Sequence, residues 1–289
     1  MRIGVVFPQT QIGADPGGIR AYAEAAADLG YQHLMVYDHV LGADPAAREG
    51  WKGAYDLHDT FHEPFVLFGW LAAFSPLELV TGVIVLPQRQ AALAAKQAAE
   101  VDILSGGKLR LGVGIGWNKV EYEALGEDFH RRGRVLDEQI DLMKRLWTEP
   151  VVTSEGSRHN VQAAGLAPMP VQRPIPIWLG AERAEAAFDR VGRVGDGWFP
   201  QVAPGAKLDD LIARVHAAAS RHGRDPAQIG MEGRISVRAG QLDAVAAEAD
   251  GWRKASATHI SVNTMPGGRK TVDEHIALLR EATAAVGLG

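Results

Sequence analysis

The sequence predicts an α/β protein built as a (β/α)8 TIM barrel, and three observations carry that prediction. Short, continuous apolar runs alternate with amphipathic stretches of helical period from one end of the chain to the other, giving eight strand–helix pairs. No linker or shift in composition divides them. The 289 residues exceed the about 250 of a bare barrel by a margin that insertions absorb. An open doubly wound sheet satisfies the same alternation, but eight units in this length favour closure. One barrel over residues 1–289, not two domains, is expected.

The elements follow in order. Ile3 to Phe7 reads as a buried strand, and Gly18 to Leu29 as a helix with Ile19, Tyr22, Ala26 and Leu29 on one stripe and Gly30 as its stop. His33 to Tyr37 is the second strand, and Glu63 to Phe74 a helix opened by Pro64. Glu78 to Leu86 is the third strand, Ala91 to Leu104 an Ala-rich helix ended by Gly106-Gly107, and Leu109 to Ile115 the fourth strand. Val135 to Trp147 is strongly amphipathic. Strands at Ile175–Leu179, Gly197–Pro200, Ile229–Val237 and His259–Asn263 alternate with helices at Glu182–Val191, Leu208–Arg221 and Asp243–Lys254. Thr271 to Glu274 has capping-box form and opens the last helix. The surplus length falls after strand 4 (Asn118 to Arg132) and before strand 5 (Glu149 to Pro174).

Composition narrows the function. With 46% hydrophobic and 22% charged residues, the chain has material for a large core. A net charge of −5 argues against a nucleic-acid or membrane-surface protein, whose binding face is basic. The absence of cysteine removes disulfides, thiolate metal sites and a cysteine nucleophile. Pro8 and Gln9 end the first apolar run far short of a signal-peptide core, and no run approaches the ~18 residues of a membrane span. A cytoplasmic protein is expected.

Barrel chemistry sits where strands end. There the chain delivers Asp38-His39, Gly82-Val83, Gly114 to Asn118, Gly180-Ala181 and Trp198 to Pro200. Glycines, aromatics and one Asp–His pair suit a flat aromatic ligand bearing a phosphate better than a metal or hydrolytic triad. An imidazole beside a carboxylate can be held in one tautomer, which makes His39, with Asp38, the catalytic candidate; the structural alternative is a histidine bonded at a strand end. Gly82 interrupts an apolar strand, as bulges do. Gly112, Gly114 and Gly116 alternate along a strand and share one face, leaving a groove; Trp117 breaks any dinucleotide fingerprint. Gly180-Ala181 before a helix starting near Glu182, with Gly197-Trp198, looks like a phosphate site. His58 and His62 have metal-like spacing, but the segment is not helical in pattern and no metal is expected. No Gly-x-Ser-x-Gly motif is present.

Taken together, Ile3–Gln9, Tyr37-Asp-His39, His62–Phe65, Thr81-Gly-Val83 through Pro87, Ala95–Ala98, Leu104–Gly107, Leu111–Trp117, Glu121–Ala124, Pro174–Gly180, Gly195–Pro200 and Thr258–Val262 resemble the luciferase-like monooxygenase superfamily. The likeness is nearest to its coenzyme F420-dependent oxidoreductase branch and spans the chain. It implies a barrel that uses F420 for hydride transfer with a small organic substrate. An FMN-dependent monooxygenase served by a separate flavin reductase is the alternative, and a non-catalytic flavin-binding barrel a third. It further implies a bulge at Gly82-Val83, commonly with a cis peptide, behind the cofactor ring. A homodimer through helices near the early strands is also implied. The expected cofactor-binding residues are Phe7, Asp38, Gly82, Val83, Gly114, Gly116, Trp117, Asn118, Gly180, Ala181, Gly197 and Trp198. Trp51, His62 and Glu63, on or beside the long loop after strand 2, are expected at the substrate. The basic run His130 to Arg134 is read first as a solvated face, and second as a rest for the anionic F420 tail. The segment before strand 5 suits a hairpin or a lid over the cofactor.

Overall fold

In the computed structural model, residues 1–181 and 183–288 are described. Parallel strands run in the order β3 (Glu78–Thr81), β2 (His33–Val36), β1 (Arg2–Val6), β11 (His259–Asn263), β10 (Gly230–Ser236), β9 (Gly197–Pro200), β8 (Ile177–Ala181) and β5 (Leu109–Gly114). Pairing of Leu79 with Leu109 and Val80 with Arg110 joins β3 to β5 and closes an eight-stranded barrel. The third barrel strand is broken at Gly82-Val83 and resumes as β4 (Ile84–Val85) alongside Val113 and Gly114.

The helices α1 (Pro16–Asp28), α2 (Pro64–Leu71), α3 (Ala91–Leu104), α5 (Arg132–Thr148), α6 (Glu185–Val194), α7 (Ala206–Arg221), α8 (Leu242–Lys254) and α9 (Val272–Val286) surround it. The capping box at Thr271 and Glu274 forms as expected. A short helix absent from the sequence reading, α4 (Lys119–Ala124), lies in the insertion after β5. Its six residues are too few for a periodic signal.

Strand alternation separates two cores. Ile3, Val5 and Phe7 face the helices, whereas Val6, Met35, Tyr37, Val80, Trp178 and Phe199 fill the barrel interior. Below that apolar layer lies a buried ion network. Arg110 pairs with Glu232 and Glu78, and His33 Nε2 lies 2.9 Å from Glu232 Oε1. The Arg110 guanidinium also stacks 4.4 Å from the Trp178 ring.

The insertion before β8 forms an antiparallel hairpin, β6 (Val152–Glu155) and β7 (Asn160–Ala164). It is not a lid over the mouth. A segment joining a helix C-terminus to the next strand begins and ends at the opposite end of the barrel. The hairpin runs along α5, where Glu138 accepts hydrogen bonds from the backbone N–H groups of Ser157, Arg158 and His159. Among the described residues, no helix is long and apolar enough to cross a membrane.

Candidate active site at the barrel mouth

Beyond β2 the chain delivers Tyr37, Asp38 and His39 to the mouth. The buried Asp38 carboxylate accepts from the Val85 N–H at 2.9 Å and from Arg89 at 2.8 Å. Burial pushes its pKa up, against the opposing pull of Arg89. Asp38 therefore lines the cavity but is not what holds His39.

That partner is Glu121 on α4, which sequence reasoning missed as a site residue. His39 Nδ1 lies 3.1 Å from Glu121 Oε2, and Glu121 Oε1 accepts the Val40 N–H at 2.6 Å. Burial works to raise the Glu121 pKa, but bonds from His39, Val40 and Leu41 outweigh it and hold the carboxyl below its ordinary value. In the neutral form of the ring, a carboxylate acceptor at this position places the proton on Nδ1. Nε2 is then the lone-pair nitrogen, and no described residue bonds to it. Phe61, Tyr55 and Trp117 enclose the ring at centroid distances of 4.7, 5.3 and 5.5 Å.

Residues Tyr37, Asp38, His39, Tyr55, Gly82, Val83, Val85, Gly116, Trp117, Gln201 and Arg234 line a cavity of about 230 Å3. A smaller one of about 80 Å3 adjoins it at Gly82, Val83, Gln201 and Arg234, with Gly180, Phe199 and Glu232 in its wall. On the far side of His39 and Tyr55, a third cavity of about 330 Å3 opens under the long loop and includes Asn118. Asn118 also caps α4.

The Gly82–Val83 peptide is cis. The glycines of β5 prove to be receivers for this bulge. A Cβ on Gly114 would come within 2.6 Å of Val83 Cγ2, so the space beside Gly114 is filled by protein, not left for a ligand. Gly180 differs, since a Cβ there would meet only Val83, at 3.6 Å.

Several expected contacts are not brought to these cavities. Phe7 is fully buried on the helix side, against Tyr22. Gly197 sits at the start of β9, where a Cβ would clash with the Trp178 ring, and Trp198 packs against Phe188 of α6. Both belong to the N-terminal half of their strand, far from a phosphate at its end. Glu63 caps α2 and pairs with Arg89 at 2.7 Å, and His62 bonds Gly13 O while facing Phe7. Trp51 reaches the mouth only through Trp117, at 5.9 Å, on the outer rim. Ala181 ends β8, buried behind Gly180; helix α6 begins at Glu185, and Glu182 lies outside the described residues. Besides Glu121, the structure adds Tyr37, from the same stretch as Asp38 and His39, and Gln201 and Arg234, which carry no local motif. Among the described residues, no group of three or more His, Asp or Glu side chains is placed to hold a metal ion.

A closed parallel barrel with a bulged third strand and an imidazole–carboxylate pair at its C-terminal mouth defines a TIM barrel with a candidate site where its strands end. More specifically, the chain belongs to the luciferase-like monooxygenase family, whose model matches residues 1–285. It is 34% identical over 200 residues to the protein Rv0940c of Mycobacterium tuberculosis, covering 67% of this chain and 68% of that one. It is 33% identical over 172 residues to the FMNH2-dependent dimethylsulfone monooxygenase of Pseudomonas putida, covering 57% of this chain and 47% of that one. Its fold matches an F420-dependent secondary alcohol dehydrogenase solved with an F420–acetone adduct, with TM-score 0.80 and 16% identity over 99% of this chain and 98% of that one.

Proposed function

We propose that the protein is an oxidoreductase that binds reduced coenzyme F420 at the barrel mouth for hydride transfer with a small organic substrate. The observation that carries this reading is the His39–Glu121 pair opening onto the same cavity as the Gly82–Val83 bulge. The site fits a flat ring with a phosphate. Val83 and the bare backbone of Gly180 offer an apolar shelf, and α6 starts with no side-chain cap on its N–H groups. Gly82, Val83, Gly116, Trp117 and Gly180 would hold the ring, and the uncapped start of α6 at Glu185 its phosphate.

Bound there, a deazaflavin supplies two-electron hydride chemistry that no side chain possesses. The protein's own work is orientation, water exclusion and proton handling. Glu121 keeps Nδ1 protonated, so His39 Nε2 would take up a proton and deliver it to the carbonyl oxygen of a substrate reduced by the cofactor; in the reverse direction, with the cofactor oxidised, it would accept the proton of a substrate hydroxyl. Tyr55, Phe61 and Trp117 shield that nitrogen from bulk water.

The likeness to the FMNH2-dependent monooxygenase favours a second reading, in which FMN replaces F420 and a flavin reductase is the partner. Titration of the purified protein with F420 and with FMN, read by cofactor fluorescence, separates them. Tighter F420 binding is expected; tighter FMN binding with oxygen uptake in the presence of reduced FMN overturns the F420 reading.

A further inference from the structure

We propose that Arg234 anchors a carboxylate of the substrate, making the protein specific for small organic acids whose reacting carbon lies toward His39. The inference rests on the cavity assignment above and goes beyond it by naming the substrate class.

Arg234, on β10, is exposed to the mouth and borders both cavities that flank Gly82-Val83. Its guanidinium is steadied by two neutral groups, donating to Tyr37 Oη at 3.1 Å and to Gln201 Oε1 at 3.2 Å. No described carboxylate pairs with it. Nearby arginines are treated differently: Arg89 is neutralised by Asp38 and Glu63, and Arg110 by Glu232 and Glu78. Asp38 and Glu232 are also the only described carboxylates lining these two cavities, and each is thereby occupied. The ligand space thus holds one guanidinium that no described carboxylate pairs with.

A guanidinium that faces the ligand space without a carboxylate partner gains charge-assisted hydrogen bonds when an anionic ligand enters. The guanidinium fork matches a carboxylate bidentately, and its two neutral holds fix the plane in which the fork lies. His39 and Arg234 border one cavity from strands separated by β1 and β11. A short acid anchored at Arg234 therefore presents its adjacent carbon inside the same enclosure as the imidazole.

The test compares charged and uncharged probes of equal size, pyruvate and lactate against pyruvamide and lactamide. Each is titrated into the protein with and without bound cofactor and followed by ligand-observed NMR and tryptophan fluorescence. The acids are expected to bind about tenfold or more tightly than their neutral counterparts. Arg234→Gln is expected to erase that difference and Arg234→Lys to keep part of it, with unchanged melting temperature and cofactor affinity. Equal binding of acids and neutral probes by the wild type overturns the proposal, as does undiminished acid binding by Arg234→Gln. Loss of cofactor affinity in Arg234→Gln overturns it too, by assigning the arginine to the ring. Tighter binding of inorganic phosphate than of either acid, lost in Arg234→Gln, overturns the carboxylate assignment. Should the wild type bind neither F420 nor FMN, the cofactor reading fails, while the probe comparison on the cofactor-free protein still decides the role of Arg234.

Discussion

His39 is governed by a carboxylate 82 positions away in the chain, and this explains what could and could not be read locally. The Asp38-His39 dipeptide marks the place of the site. Neighbours on an extended chain point to opposite sides, so Asp38 turns to Arg89 while His39 meets α4. Glu121 is expected to act by positioning the ring. His39→Ala should lower turnover about 10^2–10^4-fold, the span of general acid–base catalysis. Glu121→Gln should lower it by about 10–100-fold and displace the pH–rate profile, with cofactor affinity unchanged; a profile identical to the wild type would remove the positioning role. The glycines make a second contrast. Gly114→Ala forces a Cβ against Val83 and should destabilise by about 1–3 kcal/mol, whereas Gly180→Ala is accommodated and should leave the melting temperature nearly unchanged. Thermal melts of the two variants decide this.

At the scale of elements, period and punctuation located every barrel strand and every long helix, because those segments bury whole faces. Parity was not legible. A barrel strand is apolar on both sides, so nothing local says which alternate residues face the interior; Phe7 and Trp198 fell on the helix side for this reason. The hairpin could be foreseen as a hairpin but not placed. The backbone of its turn converges on Glu138, whose pKa is brought down to about 2: burial opposes this, and the bonds from Ser157, Arg158 and His159 prevail. Glu138→Ala should make the turn around Ser157 a preferred site of limited proteolysis, with the barrel intact. An unchanged digestion pattern would show that the strands hold themselves. Helix α2 is apolar all round, and α2 and α3 together expose Val66, Trp70, Leu93 and Leu104. We propose that a second copy of the chain covers this face. Trp70→Asp should then convert a dimer to a monomer in sedimentation, and a wild type that sediments as a monomer at high concentration would refute the pairing.

The molecule as a whole is expected to be acid-sensitive through one buried and one half-buried histidine, His275 and His259. Burial pushes His275 down to about 4 and, with Arg110 adding to it, His259 down to about 3. Unfolded histidine titrates near 6.5, so between that value and the folded pKa the unfolded chain binds the extra protons. Stability is complete above about pH 6.5 and falls as the pH drops toward 4. The melting temperature should therefore decline between pH 7 and pH 5, before the carboxylates titrate, and His275→Gln should flatten that slope; an equal slope in the variant would locate the sensitivity elsewhere. The bulge at Gly82-Val83 has a consequence for the barrel as a composite of halves. The bulge, the β5 glycines that receive it and the His39–Glu121 pair all precede Ala124, while Gly180, Gln201 and Arg234 follow it. On the function proposed above, the protein would divide into a reactive cassette and a selective one, with their seam just after α4. Exchanging the later cassette among relatives would re-aim the same acid–base chemistry at new ligands, whereas a cut between the third and fourth barrel strands would part the bulge from its socket and leave neither half usable.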